Sequence, residues 1–379
     1  MIISGNPSVT DLTLCMKEKA IALLKELTEA HSVPGYEDEV RAIFVDELEN
    51  VGGKLGADRQ GSVYFERGLE EDSGPRVMIA GHMDEVGFRV QHIRSDGYLK
   101  FVPVGGWWAH VMLAQRVEVL TKNGDKILGV ISSTPPHFLT EEKRNKVMSV
   151  SELFIDVGAS SADEARDKFG ICLGDPIAPA TNFTAMAKDG YYMAKAFDNR
   201  VGMACAIQAA QILVREEGHP NTLISAGTAQ EEVGLRGARS LAAVVKPDVA
   251  IVLEGPPADD TPGFSSSESQ GKLGGGVQIR LHDPSAIMNP RLADLAIETA
   301  KKEGIRHQVT VRTSGGTDAG SFSMANQGIP CVVLGVPSRY IHSHNTIIDI
   351  EDYLDMVRLS VALVKRLDQE KVDELLEYL

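Results

Sequence analysis

A chain of 379 residues with 53 acidic and 38 basic side chains carries a net charge of −15, which argues against nucleic acid and an anionic membrane surface as partners. Hydrophobic residues make up 43% and charged residues 24%, so an ordinary globular core is expected, and the length suits roughly two domains of ~150 residues each. No apolar run approaches the ~18–20 residues of a membrane span, and the N-terminal stretch lacks the basic-then-apolar layout of a signal peptide. The four cysteines (Cys15, Cys172, Cys205, Cys331) are scattered without a CxxC and read as reduced thiols of a cytoplasmic protein.

The chain opens with helical spacing. Leu12, Cys15, Met16, Ala20, Leu23, Leu24 and Leu27 predict a helix over about 11–31, stopped by Pro34-Gly35. Val40, Ile43, Phe44 and Leu48 share one face of a second helix over about 37–51, which Gly52-Gly53 ends. Short strands follow at 61–66 and 76–80. The second of these belongs to the stretch RVMIAGHMDEVG. Val77–Ala80 is a fully apolar run, as in a strand buried on both faces, and it delivers His82 and Asp84. One residue separates the two, so in extended chain they leave on the same side. An imidazole and a carboxylate at a strand mouth can bind a metal, orient a base or cap a sheet.

After Gly87 the texture changes to β-type patches at 88–93, 98–102, 115–120 and 127–131, with turn signals at Ser95-Asp96-Gly97 and Asn123-Gly124 and one helix near 161–169. Two layouts fit: a small β-rich domain inserted into the sheet domain, which is the reading taken, or one large mixed sheet. Strand–helix alternation resumes near Tyr191. It gives a strand running into AFDNRVG, a helix over 200–216, and a strand at 222–227 followed by TAQEEVGLRGA. A helix to about 245, a strand at 248–253 ending on Glu254-Gly255, and a Gly/Ser/Pro-rich loop over 256–276 come next. The chain continues with a strand at 277–281, a helix over 290–303, the loop TSGGTDAG, a strand at 331–336, and a C-terminal helix over 351–367.

In an open α/β sheet, ligands bind beyond the carboxyl ends of the strands. His82/Asp84, Asp198, Glu231-Glu232, Glu254 and His342/His344 each follow an apolar run and can therefore converge. Each has a bland alternative. A lone histidine at a strand end is commonly a satisfied polar residue, Asp198 can cap a helix, and a glutamate pair can be solvated surface. Glu254 resists dismissal, because an unpartnered buried carboxylate is costly. Mixed imidazole and carboxylate donors suit zinc or cobalt better than calcium or magnesium. The donors outnumber the three protein ligands of a one-zinc catalytic site, as two ions sharing a carboxylate would require. No HExxH occurs, and a glycosidase would not need the histidines. His31, His92, His110, His137, His219, His282 and His307 lack such partners and read as surface or packing residues.

The segments AGHMDEVGF, AFDNRVG, GTAQEEVGLRGA, GGTDAG and RYIHSH, in this order, resemble the dinuclear metallo-aminopeptidases that assemble into tetrahedral particles, in particular the bacterial glutamyl aminopeptidases. The resemblance runs from about Ala20 to Leu367. It implies an α/β fold: a mixed-sheet, zinc-exopeptidase-like catalytic domain (1–86 and 186–379, helices on both faces) with an inserted PDZ-like dimerisation domain (87–185). It implies that His82 and Glu254 hold one divalent ion, that Glu232 and His342 hold a second, and that Asp198 bridges both. Glu231 is then the general base, Asp84 orients His82, and a water between the ions attacks the first peptide bond of a short peptide. A dodecamer built from dimers is also implied. Many relatives carry Asp where this chain has Glu254, and His344 stands close enough to His342 to compete with it. If the removed residue is acidic, a basic group must meet it; Arg312, Arg339 and Lys272 are candidates by position, with TSGGTDAG as a pocket wall. The rival readings are a carboxypeptidase or N-acyl amino acid deacylase on the same scaffold, and a non-enzymatic metal-binding assembly subunit.

Overall fold

A computed structural model describes residues 9–68, 74–216, 218–265 and 267–378, with side chains from residue 16 onward. Leu12 and Cys15, used above for the first helix, therefore lie outside the described side chains. The fold is mixed α/β. A nine-stranded sheet runs in the order Lys54–Ala57, Val63–Arg67, Thr222–Thr228, Arg76–His82, Val249–Glu254, Cys331–Gly335, Val277–Asp283, Ala286–Ile287, with His307–Val311 also on Val277–Asp283. The four central strands are parallel, and strands to either side are antiparallel to them. Residues 77–82, 222–228, 249–254 and 331–335 are all buried, as a sheet covered on both faces requires. Thr228 pairs with His82, and Glu254 pairs with Gly335, so the polar strand ends reach the same edge of the sheet.

Helices cover both faces. Val9–Glu29, Phe197–Glu216 and Ile350–Val364 lie on one side, in a core with Leu24, Phe44, Val201, Ile251 and Tyr353. Arg236–Val245 and Ala319–Ser323 lie on the other, in a core with Met78, Ile224, Leu241 and Phe322. Among the described residues no helix is long and apolar enough to cross a membrane.

The stretch after Gly87 closes on itself. Gly87–Ile93, Leu99–Val104, Phe154–Asp156, Lys126–Ser132, Arg116–Leu120 and Pro176–Pro179 form a barrel, in that order, around Phe88, Val90, Phe101, Val117, Ile131 and Ile177. Among the described residues its strands pair only among themselves.

One expected placement is corrected. The strand before Asp198 does not belong to the main sheet. Tyr191–Ala194 pairs with Thr184–Ala185 and Thr346–Asp349 in a separate three-stranded sheet. Tyr192 and Met193, on opposite faces of this strand, are only half-buried, unlike any residue of the central strands beyond Arg76. Asp198 reaches the site from the start of the helix Phe197–Glu216, not from a central strand end.

Helix and sheet approach closely at Gly81. A Cβ there would stand 2.6 Å from the Gly202 carbonyl carbon and 2.8 Å from the Met203 nitrogen, both backbone atoms of the long helix. Gly81→Ala should therefore destabilise the fold by about 1–3 kcal/mol through overpacking against atoms that cannot rotate away. Chemical denaturation of the two proteins measures the difference.

Candidate functional site

Three central strands and two loops bring the sequence-nominated residues together. His82 ends its strand, Glu254 ends another, and Glu231 and Glu232 follow the strand that finishes at Thr228. Asp198 enters from the helix start and His342 from the loop after Gly335. His82 Nε2 lies 3.2 Å from Asp198 Oδ1 and 3.8 Å from both Glu231 Oε2 and Glu254 Oε2. His342 Nε2 lies 3.3 Å from Asp198 Oδ2 and 3.3 Å from Glu232 Oε1. Asp198 thus stands between the two imidazoles, one oxygen toward each. His344 is outside the cluster; its ring lies against Trp107, with centroids 5.4 Å apart, and burial holds it down at about 4.

The layer behind fixes this arrangement. His82 Nδ1 faces the Asp84 carbonyl oxygen at 3.0 Å, and its distance to the Asp84 carboxylate is 3.6 Å. That carboxylate accepts the backbone N–H of Glu231 at 2.9 Å and of Glu232 at 3.0 Å. Asp84 therefore holds His82 through its main chain, while its side chain, engaged by two amides, positions the glutamate pair. His342 Nδ1 is held at 2.8 Å by the carbonyl of Gly106, in the segment after the barrel strand Leu99–Val104. Ala196, Gln230, Tyr340 and His342 have φ of 57°, 57°, 62° and 55°. Such left-handed backbone in non-glycine residues clusters where a site holds its geometry against local preference.

Several residues here were not nominated from sequence. Glu85 is buried, and its Oε1 accepts from Lys195 Nζ at 2.5 Å and from Arg200 Nη2 at 3.0 Å. Arg200 also donates to the carbonyls of Met83 and Leu27, tying the His82–Glu85 loop to the first helix. The signal was the pair of basic residues flanking Asp198 in KAFDNR, inside otherwise apolar sequence.

A cavity of about 360 Å³ lies over the cluster, walled by Pro256, Pro257 and Ser314–Thr317, so the TSGGTDAG loop does line it. Asp318 turns inward beneath, with Thr228 Oγ1 donating to its Oδ2, and burial pushes it up to about 6. The basic residues proposed to face a substrate are corrected. Arg312 pairs with Asp259 at 2.6 Å and Arg339 with Asp260 at 2.7 Å, while Lys272 is exposed outside the cavity. Acidic residues of the 256–276 loop hold both arginines. The basic side chain lining the cavity, among the described residues, is Arg280.

Charge at the cluster is out of balance. Burial pushes Glu254 up to about 8 and Glu231 well above the carboxylate range, and raises Glu232 as well. Burial opposes a charged Asp198 too, but hydrogen bonds from His342 and His82 outweigh it and hold that carboxyl low. For His342, burial is outweighed by the adjoining Asp198 and Glu232 carboxylates, which push it up to about 11. Without another cation, the histidines must carry the positive charge and some carboxylates must keep protons. Glu254 Oε1 is buried without a hydrogen-bond partner, and Glu232 Oε1 sits at ion-pair distance from His342 without hydrogen-bond alignment. Donor atoms of His82, Glu231 and Glu254, and of His82, Asp198 and Glu232, lie within 4.8 Å of one another. These residues fit divalent metal ions.

The chain is similar to known proteins over most of its length. A family model described as M42 glutamyl aminopeptidase matches residues 61–359. The putative aminopeptidase FrvX of Escherichia coli (strain K12) is 39% identical, covering 93% of this chain and 97% of its own. The glutamyl aminopeptidase of Lactococcus lactis subsp. cremoris (strain MG1363) is 36% identical, covering 94% and 98%. A TET aminopeptidase from the marine sediment archaeon Thaumarchaeota archaeon SCGC AB-539-E09 superposes with a TM-score of 0.91 at 41% identity, covering 94% and 99%. The TET1 peptidase of Pyrococcus horikoshii, which can assemble into a tetrahedron or a large octahedral shell, gives 0.80 at 31%, covering 91% and 99%.

Asp84→Asn should keep one acceptor oxygen and release one of the two glutamate amides. A loss of about 10–100-fold in metal affinity or turnover is expected, as for other residues that orient ligands. Metal content by plasma mass spectrometry, beside kcat/KM, measures it.

Proposed function

The chain belongs to the M42 glutamyl aminopeptidase family, and from that premise we propose that it removes N-terminal residues, acidic ones preferentially, from short peptides. The observation that carries the reading is the position of Asp198 between two imidazoles, with Glu231 beside them on the floor of one cavity. Two divalent ions, zinc or cobalt by their mixed donors, would be held by His82, Asp198 and Glu254 and by Asp198, Glu232 and His342. When bound, such ions polarise the scissile carbonyl and bring the pKa of water toward neutrality.

Glu231 has no ligand duty in this assignment. Its carboxylate takes the proton of the attacking water and returns it to the leaving nitrogen as the C–N bond breaks. Asp84, bonded to both glutamate amides, keeps that base in register with Glu232. Carboxylates around the cavity suit a free α-ammonium, which directs cleavage to the N-terminal peptide bond.

Arg280 supports the acidic preference. Its Nη1 lies 3.2 Å from Asp283 Oδ2, while its buried Nε has no partner. Asp283 also accepts from the Ser285 and Ala286 amides and the Ser285 and Thr317 hydroxyls, so it engages the guanidinium only through Nη1. The same residue favours a second reading, in which a basic clamp holds a terminal carboxylate, as in a carboxypeptidase or N-acyl amino acid deacylase. The barrel, standing where a PDZ-like insert is expected, exposes Val102, Leu128 and Val130 and is assigned the pairing of subunits. Six such pairs would make a hollow cytoplasmic dodecamer that admits short peptides.

Glu231→Gln should retain both ions by mass spectrometry and lose turnover by about 10²–10⁴-fold. A variant with wild-type turnover would refute the base. The wild type should cleave free-amine peptides and reject their N-acetylated forms; the reverse pattern selects the deacylase. Chelation should abolish activity, and zinc or cobalt should restore it. Arg280→Met should cut kcat/KM for glutamyl substrates by about tenfold or more while leucyl substrates lose less, since a bonded charge is lost only for the former.

A further inference from the structure

Past His342 the catalytic cavity continues, by way of Gly106 and Ile341, into a second concavity of about 750 Å³. Its walls are the segment after the barrel strand Leu99–Val104 and the loop carrying His342. Trp107, Trp108 and Tyr340 line it. Trp108 is 64% and Tyr340 54% exposed, a large aromatic surface to leave in water beside a catalytic cluster. The wall behind is rigid: Trp107 stacks on Phe88 at 4.5 Å, and its indole N–H donates to the Gly87 carbonyl at 3.0 Å. His344 also lines this basin. It is 1% exposed, and neither ring nitrogen has a hydrogen-bond partner within the described chain. A buried imidazole without a partner is costly unless a ligand or water supplies one.

We propose that this basin is the subsite for the peptide segment following the scissile bond, taking an aromatic side chain at the second residue between Trp108 and Tyr340 and a backbone group on His344. The inference rests on the aminopeptidase reading above. Direction follows from the placement of walls. Arg280 and Ser314–Thr317 line the catalytic cavity but not the basin, whereas Gly106, Ile341 and His342 line both. A peptide whose first side chain faces Arg280 must leave past His342, and that exit opens on the aromatic wall. The volume falls in the roughly 300–1,000 Å³ of ordinary ligand clefts, and each extended residue adds about 3.3–3.6 Å, so two or three residues fit.

The test compares glutamic acid α-amide, whose leaving group is ammonia and reaches no basin, with the peptides Glu-Ala-Ala and Glu-Phe-Ala. The wild type should favour Glu-Phe-Ala over Glu-Ala-Ala, chiefly through KM. In Trp108→Ala the ratio of kcat/KM for Glu-Phe-Ala to that for the amide should fall about tenfold, as for loss of an aromatic anchor. His344→Phe, which keeps the ring and removes the nitrogens, should lower the ratio of either peptide to the amide. Unchanged ratios in both variants would overturn the proposal. So would a Trp108→Ala protein that dissociates by light scattering with its ratios intact, since the basin is then a contact between subunits. A wild type that cleaves all three compounds without preference defeats the subsite alone; one that cleaves none of them defeats the acidic preference, and with it the direction assigned to the subsite.

Discussion

Repulsion among buried carboxylates is the constraint on which the rest of the site depends. Asp198, Glu231, Glu232 and Glu254 share one cavity floor with two imidazoles, and burial, helped by the neighbouring Asp198 and Asp318 carboxylates, drives Glu254 up to about 8. No fold gathers such groups for stability, because each pays for desolvation and gains little from like-charged neighbours. The cluster becomes favourable when cations sit among the carboxylates, and the unpartnered Glu254 oxygen is where the chain's own donors run out. The affinity of such a cluster for cations and the raised pKa values of its glutamates are two expressions of the same electrostatics.

Holding such a cluster together takes rigid support, and the support is layered. Asp84 joins the end of one central strand to the loop of the next, with its carbonyl on His82 and its carboxylate on the Glu231 and Glu232 amides. Beneath it, Glu85 bridges Lys195 and Arg200, and Arg200 reaches back to the first helix through the Leu27 carbonyl. A buried ion group of this kind is weak as a source of stability but strong as a restraint, since breaking one member leaves charge without a partner. The left-handed residues Ala196, Gln230, Tyr340 and His342 persist in that setting because the surrounding bonds over-determine them.

What the sequence made legible follows from where the information is local. Fully apolar runs ending in a polar residue identified the strands that deliver His82 and Glu254, since burial on both faces leaves its mark within six or seven residues. The strand before Asp198 was misplaced because a half-buried strand of four residues carries no such mark. The function of Asp84 was half legible: its closeness to His82 is a matter of spacing, but its grip on the Glu231 amides joins residues 147 apart in sequence. Arg280 was invisible for the same reason. Alternation placed it on a strand, and only the folded sheet turns it toward the cavity while Arg312 and Arg339 are taken up by Asp259 and Asp260.

The barrel is more than an appendage to this site. The Gly106 carbonyl, in the segment leading out of a barrel strand, fixes the Nδ1 side of His342 and so presents Nε2 to Asp198 and Glu232. A Cβ at Gly106 would come within 3.1 Å of that same imidazole nitrogen, which makes the approach of the two segments dependent on glycine. Any shift of the barrel relative to the main sheet would therefore reach the cluster through one hydrogen bond. It would also move Trp107 and Trp108, which follow directly. A module that steadies a histidine of the cluster and walls the space beside it couples the position of the barrel to the geometry of the site.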